Sequence, residues 1–184
     1  MSNLRDRRQI ALRPFVAADF EQLIAWSADE DTLLQYAGPS LTFPLTEAQL
    51  VMALSGKDRL AFTACFADNG AQAGHGEIYF PNTQTAHLCR LLVGDSQHRG
   101  MGIGLKMVQA LLDIAFSIQA VEFASLNVYD WNLPAIRCYE KAGFQVCPDK
   151  TMLRQLREKM WTTLHMRLHR KKWQQLNQGA VIKE

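Results

Sequence analysis

Apolar residues along the chain recur with two different periods, which predicts strands interleaved with helices. The clearest helical period runs from Gly102 to Ile118, where apolar side chains return every three or four residues. Asp19, Thr46 and Asn132 each stand at the start of a periodic stretch and are predicted helix caps. The predicted helices are Asp19–Trp26, Thr46–Leu54, Gly102–Ile118 and Leu133–Ala142, and the predicted strands are Ile10–Phe15, Leu60–Ala67, His75–Phe80, Ala86–Val93, Phe123–Val128 and Trp161–Leu168.

Turn signals join the central strands into a meander. Asp68-Asn69-Gly70 is a strong hairpin signal, and Pro81-Asn82 predicts the next turn. Strands this close in sequence pair most simply as antiparallel neighbours. Phe144–Cys147 resumes extended structure, whereas Met152–Lys159 fits a helix and an irregular hairpin equally well. The pattern predicts an α/β fold built around this meander.

The composition is that of one globular domain, with 48% hydrophobic and 21% charged residues. We expect a single domain over residues 9–169, a basic tail over 1–8 and a solvated polar tail over 170–184. No apolar run reaches the roughly 18–20 residues that cross a bilayer, and the N-terminal residues lack the apolar stretch of a signal peptide. A cytoplasmic protein without a membrane partner is therefore expected. The net charge of only +2 argues against a nucleic-acid partner.

No basic residue lies between Arg13 and Lys57. The acidic residues within that stretch are Asp19, Glu21, Asp29, Glu30, Asp31 and Glu47. Such a region is either a solvated acidic helix face or a surface that attracts a cationic ligand. The four cysteines show no zinc-binding spacing, so we expect no metal site and reduced thiols.

The segment from Val93 to Gly104 joins an apolar strand to the amphipathic helix and holds glycines at three alternate positions. Glycines let a backbone approach a ligand closely. The helix behind them offers unpaired N–H groups and the positive end of its dipole. Together these features predict a phosphate site.

Three kinds of phosphate site compete for this segment. A Rossmann fingerprint fails because Leu105 stands where glycine is needed, and a P-loop fails because Gly56-Lys57 is followed by Asp58. The remaining interpretation is a pyrophosphate cradle for coenzyme A, of the form Gln97-x-x-Gly100-x-Gly102.

A second segment adds to this interpretation. Leu126–Asn132 ends a strand and caps a helix, and Ala135–Phe144, which contains Tyr139, follows it. Together with the glycine pattern, this segment resembles the GCN5-related N-acetyltransferase (GNAT) superfamily over roughly residues 60–144. The resemblance implies a mixed, mainly antiparallel sheet, splayed to admit acetyl-CoA, with helices on both faces. It also implies an N-acetyltransferase that uses acetyl-CoA as co-substrate.

The resemblance implies a role for each matching residue. Backbone groups of Leu91, Leu92 and Val93, at a strand bulge, would pair with the pantetheine arm. The residues that would hold the pyrophosphate are His98, Arg99, Gly100, Met101, Gly102, Ile103 and Gly104. Asn132 would contact the cofactor arm, and Tyr139 would act as general acid near the thioester sulfur.

Direct attack by an amine also needs a base, because a free primary amine is mostly protonated at neutral pH. Glu77 and His87 are the two candidates. Glu77 lies on the strand beside the cofactor strand. His87 lies on the cofactor strand itself, where strict alternation places it on one face with Cys89, Leu91 and Val93.

Acceptor loops vary freely on one fold, so the acceptor is predicted from charge alone. The acidic stretch favours the primary amine of a cationic small molecule. Two alternatives are an acetyltransferase for α-amino or lysine groups of proteins and a non-catalytic, CoA-binding regulatory module. A homodimer is a further expectation, because members of the superfamily often dimerise.

Overall fold

The structure is a computed structural model that describes residues 9–156 and 159–181 of the chain. The strands described there are β1 (Ile10–Pro14), β2 (Arg59–Phe66), β3 (Gln72–Asn82), β4 (Thr85–Val93), β5 (Phe123–Tyr129), β6 (Gln145–Val146), β7 (Met152–Leu156) and β8 (Lys159–His169). The helices are α1 (Phe20–Trp26), α2 (Glu30–Ala37), α3 (Glu47–Leu54), α4 (Ile103–Ser117), α5 (Leu133–Lys141) and α6 (Arg170–Val181).

The strands form a hydrogen-bonded sheet in the order β1-β2-β3-β4-β5-β8-β6, and β7 pairs with β8. β1–β2, β2–β3, β5–β8, β6–β8 and β7–β8 are antiparallel. Residues 85–87 of β4 run parallel to residues 123–125 of β5, and α4 supplies the crossover that a parallel pair needs. The prediction of a mixed, mostly antiparallel sheet combined with helices is confirmed.

The chain divides into two compact units. The first unit contains the described residues up to Tyr79 together with Leu88–Leu111. The second contains Phe80–His87 together with the described residues from Leu112 onward. Residues 88–93 of β4 and the start of α4 therefore belong to the first unit, and α5 belongs to the second.

In the first unit, helices pack on both faces of the sheet. On one face α1, α2 and α3 bury Leu23, Leu33 and Leu50 together with Leu92 of β4. On the other face α4 approaches so closely that a Cβ at Gly74 would lie 2.9 Å from the sulfur of Met107. The closest contact of that Cβ, at 2.3 Å, would be with the carbonyl oxygen of Leu92 on β4, so the missing side chain at Gly74 leaves room for the β4 backbone as well as for Met107.

Asp19 is not a helix cap, and that prediction is wrong. Its carboxylate makes no capping bond to α1 and instead accepts hydrogen bonds from Arg13, Thr63 and Gln72 at 2.7 to 2.8 Å. Burial opposes the charged form, but these donors, Arg13 foremost, outweigh it and lower the pKa of Asp19 to about 2. Asp19 therefore ties the start of α1 to β1, β2 and β3.

Two other helices show how capping acts in the first unit. Thr46 caps α3 as predicted, because its hydroxyl accepts the N–H of Gln49 at 3.3 Å. Helix α2 is not among the predicted helices, and it begins at Asp29, which accepts the N–H and O–H of Thr32 at 2.7 and 2.8 Å. Two more acidic residues occupy the first turn of α2, where the helix dipole favours negative charge. Part of the acidic stretch is thus explained by helix formation.

In the second unit, β5 and β8 pair over seven residues, and Leu126 and Met166 are buried at their centre. Helix α5 begins at Asn132, whose side-chain oxygen accepts the N–H of Ala135 at 3.3 Å, as predicted. The chain leaves α5 through Gly143, whose φ of +100° favours glycine.

The segment predicted as a polar tail beyond residue 169 forms α6 over residues 170–181, a helix that was not predicted, and residues 182–184 lie outside the described residues. The Arg170 guanidinium donates hydrogen bonds to the carbonyls of Phe116, Ile118 and Val121 at 2.6 to 2.7 Å. Phe116 lies in the last turn of α4, where a helix leaves carbonyls without partners, and Ile118 and Val121 lie in the chain that follows it. Trp173 adds a ring contact with Phe116, at 5.1 Å between centroids. The physical reason for the difference is that Arg170 anchors α6.

Three local predictions can be compared with the strands. The hairpin turn before β3 is confirmed, and Gly70 has a φ of +71° there. β3 extends to Asn82, so the following turn lies at residues 83–84, two residues later than predicted. The segment Met152–Lys159, left open between helix and hairpin, contains β7, which pairs with β8, and its residues 157 and 158 lie outside the described residues.

None of the described helices combines the length and apolar character needed to span a membrane.

Candidate active site

The turn between β4 and α4 leaves its backbone open. Gly100 and Gly102 have φ values of +76° and +77°, which side-chain-bearing residues rarely adopt. A Cβ at Gly100 would meet nothing within 4 Å. Lys106 N donates to Gly102 O at 3.1 Å, so the amides of residues 103–105 precede the first helical bond.

This geometry fits an anionic group. The N–H groups at the start of the 15-residue helix α4 and its dipole both favour negative charge. Arg99 is exposed at the same turn, and the buried Nδ1 of His98 makes no hydrogen bond to any described residue. Ile103 is only 2% exposed, so its backbone alone can serve a ligand. The turn can hold a phosphate or pyrophosphate through main-chain nitrogens, which is what the predicted cradle requires.

Strand β4 is irregular just before the residues predicted to pair with pantetheine. Arg90 has a φ of +50°, an uncommon conformation for a residue with a side chain. The consecutive side chains of Cys89 and Arg90 both lie on the face that carries Glu77. Leu91 lies on the opposite face, because a Cβ at Gly76 would be 3.0 Å from it. Two consecutive residues on one face are typical of a β-bulge.

The bulge corrects the expectation that His87, Cys89, Leu91 and Val93 share one face. Alternation changes sides at Arg90, so Leu91 lies on the face opposite to Cys89. The sequence pattern alone assumes an unbroken period of two, and a left-handed residue interrupts that period.

Glu77 is the centre of a buried charged cluster in the first unit. Its side chain is 3% exposed and forms ion pairs with the guanidinium groups of Arg59 and Arg90. The Nη1 atom of Arg90 lies 3.2 Å from each carboxylate oxygen, and His75 Nε2 lies 3.1 Å from Oε1. Arg59 Nη1 also lies 3.2 Å from the sulfur of Cys89. All of these partners are on the face of β3 and β4 opposite to α4.

The cluster determines the charge of its members. Burial alone would raise the pKa of Glu77, but the bond to His75 and the charges of Arg90 and Arg59 hold this pKa below its ordinary value. Burial and the neighbouring Glu77 raise the pKa of Cys89 to about 11. Glu77 is therefore an ionised carboxylate and a weak proton acceptor, whereas Cys89 is a neutral thiol at pH 7.

His87 belongs to the second unit. Its Nδ1 lies 3.0 Å from the hydroxyl of Ser125 on β5, and its ring stacks on His165 with centroids 6.4 Å apart. His165 Nδ1 in turn lies 2.9 Å from the side-chain oxygen of Asn127. Burial, Lys150 and Arg167 lower the pKa of His165. The two imidazoles form a polar row across β4, β5 and β8.

Tyr139 and Asn132 lie at opposite ends of α5, also in the second unit. Tyr139 is 9% exposed and packs against Phe144 with ring centroids 6.3 Å apart. Burial, followed by the adjacent Cys138, raises the pKa of Tyr139 well above its ordinary value. Its hydroxyl therefore stays protonated over the physiological range, as a proton donor must.

Several residues near the predicted site were not anticipated from the sequence. Arg59 and Arg90 lie beside Glu77 because of strand pairing and the bulge at Arg90. The resemblance implied a bulge at Leu91–Val93, but the sequence did not indicate that it would place Arg90 beside Glu77. Gly94 was also missed, although a glycine directly after a predicted strand is a signal that the sequence offers. A Cβ at Gly94 would lie 2.1 Å from the Trp26 ring, so this position needs glycine. Within the described ranges, no group of three or more His, Cys, Asp or Glu side chains could hold a metal ion.

Comparison with known proteins supports the same family. The family model described as "Acetyltransferase (GNAT) family" matches residues 20–144. Aminoglycoside N(6')-acetyltransferase type 1 of Klebsiella pneumoniae is 41% identical over 54 residues, which are 29% of this chain and 27% of that protein. The kanamycin resistance protein of Rhizobium radiobacter is 40% identical over 53 residues, which are 29% of this chain and 49% of that protein. The matched stretches thus span half or less of these relatives.

Solved structures share the fold over most of the chain. Spermidine N-acetyltransferase from Vibrio cholerae, in complex with CoA and spermine, has a TM-score of 0.75 at 17% identity and covers 90% of this chain and 98% of its own. Aminoglycoside acetyltransferase AAC(6')-Ib, in complex with coenzyme A, has a TM-score of 0.72 at 22% identity and covers 91% of this chain and 98% of its own. With more than half of its residues matched by the family model, the chain belongs to the acetyltransferase (GNAT) family.

Proposed function

We propose that the protein transfers an acetyl group from acetyl-CoA to the primary amine of a cationic small molecule. The observation that carries this proposal is the open, left-handed glycine turn at the start of α4. It lies inside the segment matched by the family model and offers main-chain nitrogens to a pyrophosphate. The match draws on residues of both compact units, which supports one catalytic domain over residues 9–169.

Bound acetyl-CoA would supply the acyl group as a thioester. The residues proposed to bind it are the backbone of Leu91, Leu92 and Val93, the turn from His98 to Gly104, and Asn132. In direct transfer, the amine nitrogen forms a bond to the acyl carbon, and the carbon–sulfur bond breaks. Tyr139, kept protonated by burial, would give its proton to the departing sulfur.

The amine must first lose a proton, and the two candidate bases differ in their surroundings. Both oxygens of Glu77 are bonded to cationic or N–H donors, so this carboxylate is poorly suited to accept a further proton. The other candidate is the imidazole of His87, whose Nδ1 lies 3.0 Å from the Ser125 hydroxyl, and histidine is the side chain that most often serves as a general base. We therefore assign proton removal to His87 and assign Glu77 the positioning of Arg59 and Arg90.

The cationic acceptor rests on charge and on the relatives. Asp29 and the acidic first turn of α2 lie at the surface of the first unit. The similar proteins carry the names of spermidine and aminoglycoside acetyltransferases, whose acceptors are polyamines and amino sugars.

The proposal is tested by incubating the purified chain with acetyl-CoA and an amine panel, and by measuring release of free CoA thiol. The panel contains spermidine, kanamycin, free amino acids and a short peptide. Thiol release with small amines above the peptide supports the proposal, and release with the peptide above all small amines refutes the small-molecule acceptor. Tight acetyl-CoA binding without thiol release from any amine would identify a non-catalytic CoA-binding module instead.

A further inference from the structure

Two guanidinium groups share one carboxylate in the first unit. Arg59 and Arg90 both form ion pairs with Glu77, and their side chains are 20% and 10% exposed, against 3% for Glu77. Within the described ranges, no other carboxylate forms an ion pair with either arginine. The pair therefore has a surplus of one positive charge in a largely buried place.

Among the residues that the structure describes, no neighbouring side chain supplies a second negative charge to the two arginines. Burial and Glu77 raise the pKa of Cys89 to about 11, so its thiol is neutral at pH 7. Burial raises the pKa of Tyr36, so its phenol is neutral as well. Ser40, which accepts a hydrogen bond from Arg90 Nη2 at 3.2 Å, is uncharged, and a histidine such as His75 cannot supply a negative charge.

The Arg59 guanidinium also has N–H donors that form no hydrogen bond with a described residue. Of the three nitrogens of the Arg59 guanidinium, only Nη1 bonds to a described residue, and Nε and Nη2 donate to none. A guanidinium binds a carboxylate through two parallel N–H bonds, and such a bond is stronger where water is partly excluded. A largely buried cation without a full counter-charge is costly, and a bound anion would offset that cost.

We propose that Arg59 and Arg90 bind an anionic oxygen group of the acceptor, a carboxylate, so that the substrate is an amine of the amino-acid class. This inference rests on the proposed acetyl transfer and narrows its acceptor. It agrees with a cationic acceptor, because a diamino acid carries two ammonium groups and one carboxylate. The acidic surface of α2 would attract the molecule, and the arginine pair would select it.

The test uses substrates that differ only in the carboxylate: lysine against cadaverine, and ornithine against putrescine. In the wild-type protein we expect kcat/KM at least 10-fold higher for the amino acid of each pair. Arg59→Lys keeps the charge beside Glu77 but removes the planar fork, so it should lower kcat/KM for lysine about 10- to 100-fold, mainly through KM. The same variant should change kcat/KM for cadaverine by less than about threefold.

Arg154→Gln is the matched control, because Arg154 is an exposed arginine of the second unit and should leave the lysine preference unchanged. Arg59→Gln is a second variant for the same comparison of lysine with cadaverine, because it removes the charge as well as the planar fork. Circular dichroism checks that this variant is folded. O-phosphoethanolamine against ethanolamine distinguishes a phosphate from a carboxylate as the recognised group. A preference confined to the phosphate would overturn the amino-acid class.

Binding measured by calorimetry separates this inference from the proposed function. Lysine binding that exceeds cadaverine binding at least 10-fold, and falls in Arg59→Lys, supports the anion site even if no amine releases thiol, in which case only the proposed function fails. Equal or weaker affinity and rate for the amino acids overturns the inference while acetyl transfer to other amines stands.

Discussion

Substitution of Gly100 by alanine isolates the proposed cradle from the stability of the fold. Gly100 has a φ of +76° and nothing within 4 Å of an added Cβ, so Gly100→Ala introduces backbone strain but no clash inside the protein. A left-handed conformation costs an L-residue about 1–2 kcal/mol, and alanine regains about 0.5–1 kcal/mol through a less flexible unfolded chain. The net loss of about 1 kcal/mol corresponds to a Tm lower by about 2–4 °C.

The effect on the coenzyme should be larger than the effect on the fold. The added methyl group would project into the space proposed for the pyrophosphate and would lengthen hydrogen bonds between main-chain amides and a charged group. Bonds of this kind contribute about 1.5–3 kcal/mol each, so loss of one should raise the Kd for CoA about 10- to 100-fold. Isothermal titration calorimetry with CoA and thermal unfolding measure the two effects separately.

Gly70→Ala is a matched control for this experiment. Gly70 also has a positive φ, +71°, and nothing within 4 Å of an added Cβ, but it lies in the hairpin turn between β2 and β3. The two variants should lose similar stability, and only Gly100→Ala should lose affinity for CoA. If both variants bind CoA within twofold of the wild-type protein, the turn does not hold the pyrophosphate.

Three further predictions concern the acid, a buried carboxylate and α6. Tyr139→Phe should lower kcat about 10- to 100-fold with little change in CoA affinity, as loss of a general acid does; an unchanged kcat in the thiol-release assay would refute that role. Asp19→Asn should cost about 1–2 kcal/mol at pH 7, after allowance for the exposure of Arg13, whereas Glu21→Gln, an exposed neighbour, should cost little. Because the pKa of Asp19 is depressed from 3.8 to about 2, its contribution to the free energy of unfolding is complete above about pH 5 and is lost as the pH falls towards 2. In urea unfolding at pH 7, 4 and 3, the difference in stability between the wild-type protein and Asp19→Asn should therefore shrink with falling pH, and a constant difference would contradict this role of Asp19. Arg170→Ala removes three bonds to carbonyls and should cost about 2–4 kcal/mol, measured by urea unfolding; a loss below about 0.5 kcal/mol would show that Arg170 does not anchor α6.

Some features could be predicted because their cause is local in the chain. The caps at Thr46 and Asn132 depend on a side chain and an amide three residues apart, and both are confirmed. The hairpin turn at Gly70 and the left-handed turn at Gly100 depend on residues that tolerate a positive φ. The long period from Gly102 to Ile118 predicted α4 to within one residue at each end.

Other features depended on partners far away in the chain. Asp19 resembles a cap in the sequence, but Thr63 and Gln72, more than 40 residues away, compete for its carboxylate. The residues of α6 are mostly polar, and their position depends on carbonyls about 50 residues earlier that Arg170 reaches. Hydrogen-bond partners that lie this far apart in the chain leave no periodic pattern and no neighbouring motif in the sequence.

By itself, the sequence determined most of the strand–helix order, the capped starts of α3 and α5 and the glycine turn, because each follows from conformational preferences within a few residues. Only the tertiary structure decided the surroundings of Glu77. Strand pairing brings Arg59 beside it, and the bulge at Arg90 turns a second guanidinium onto the same face. Electrostatic energy depends on distance and burial rather than on order along the chain. Glu77, which the sequence analysis predicted as a candidate base, is therefore the counter-ion of Arg59 and Arg90.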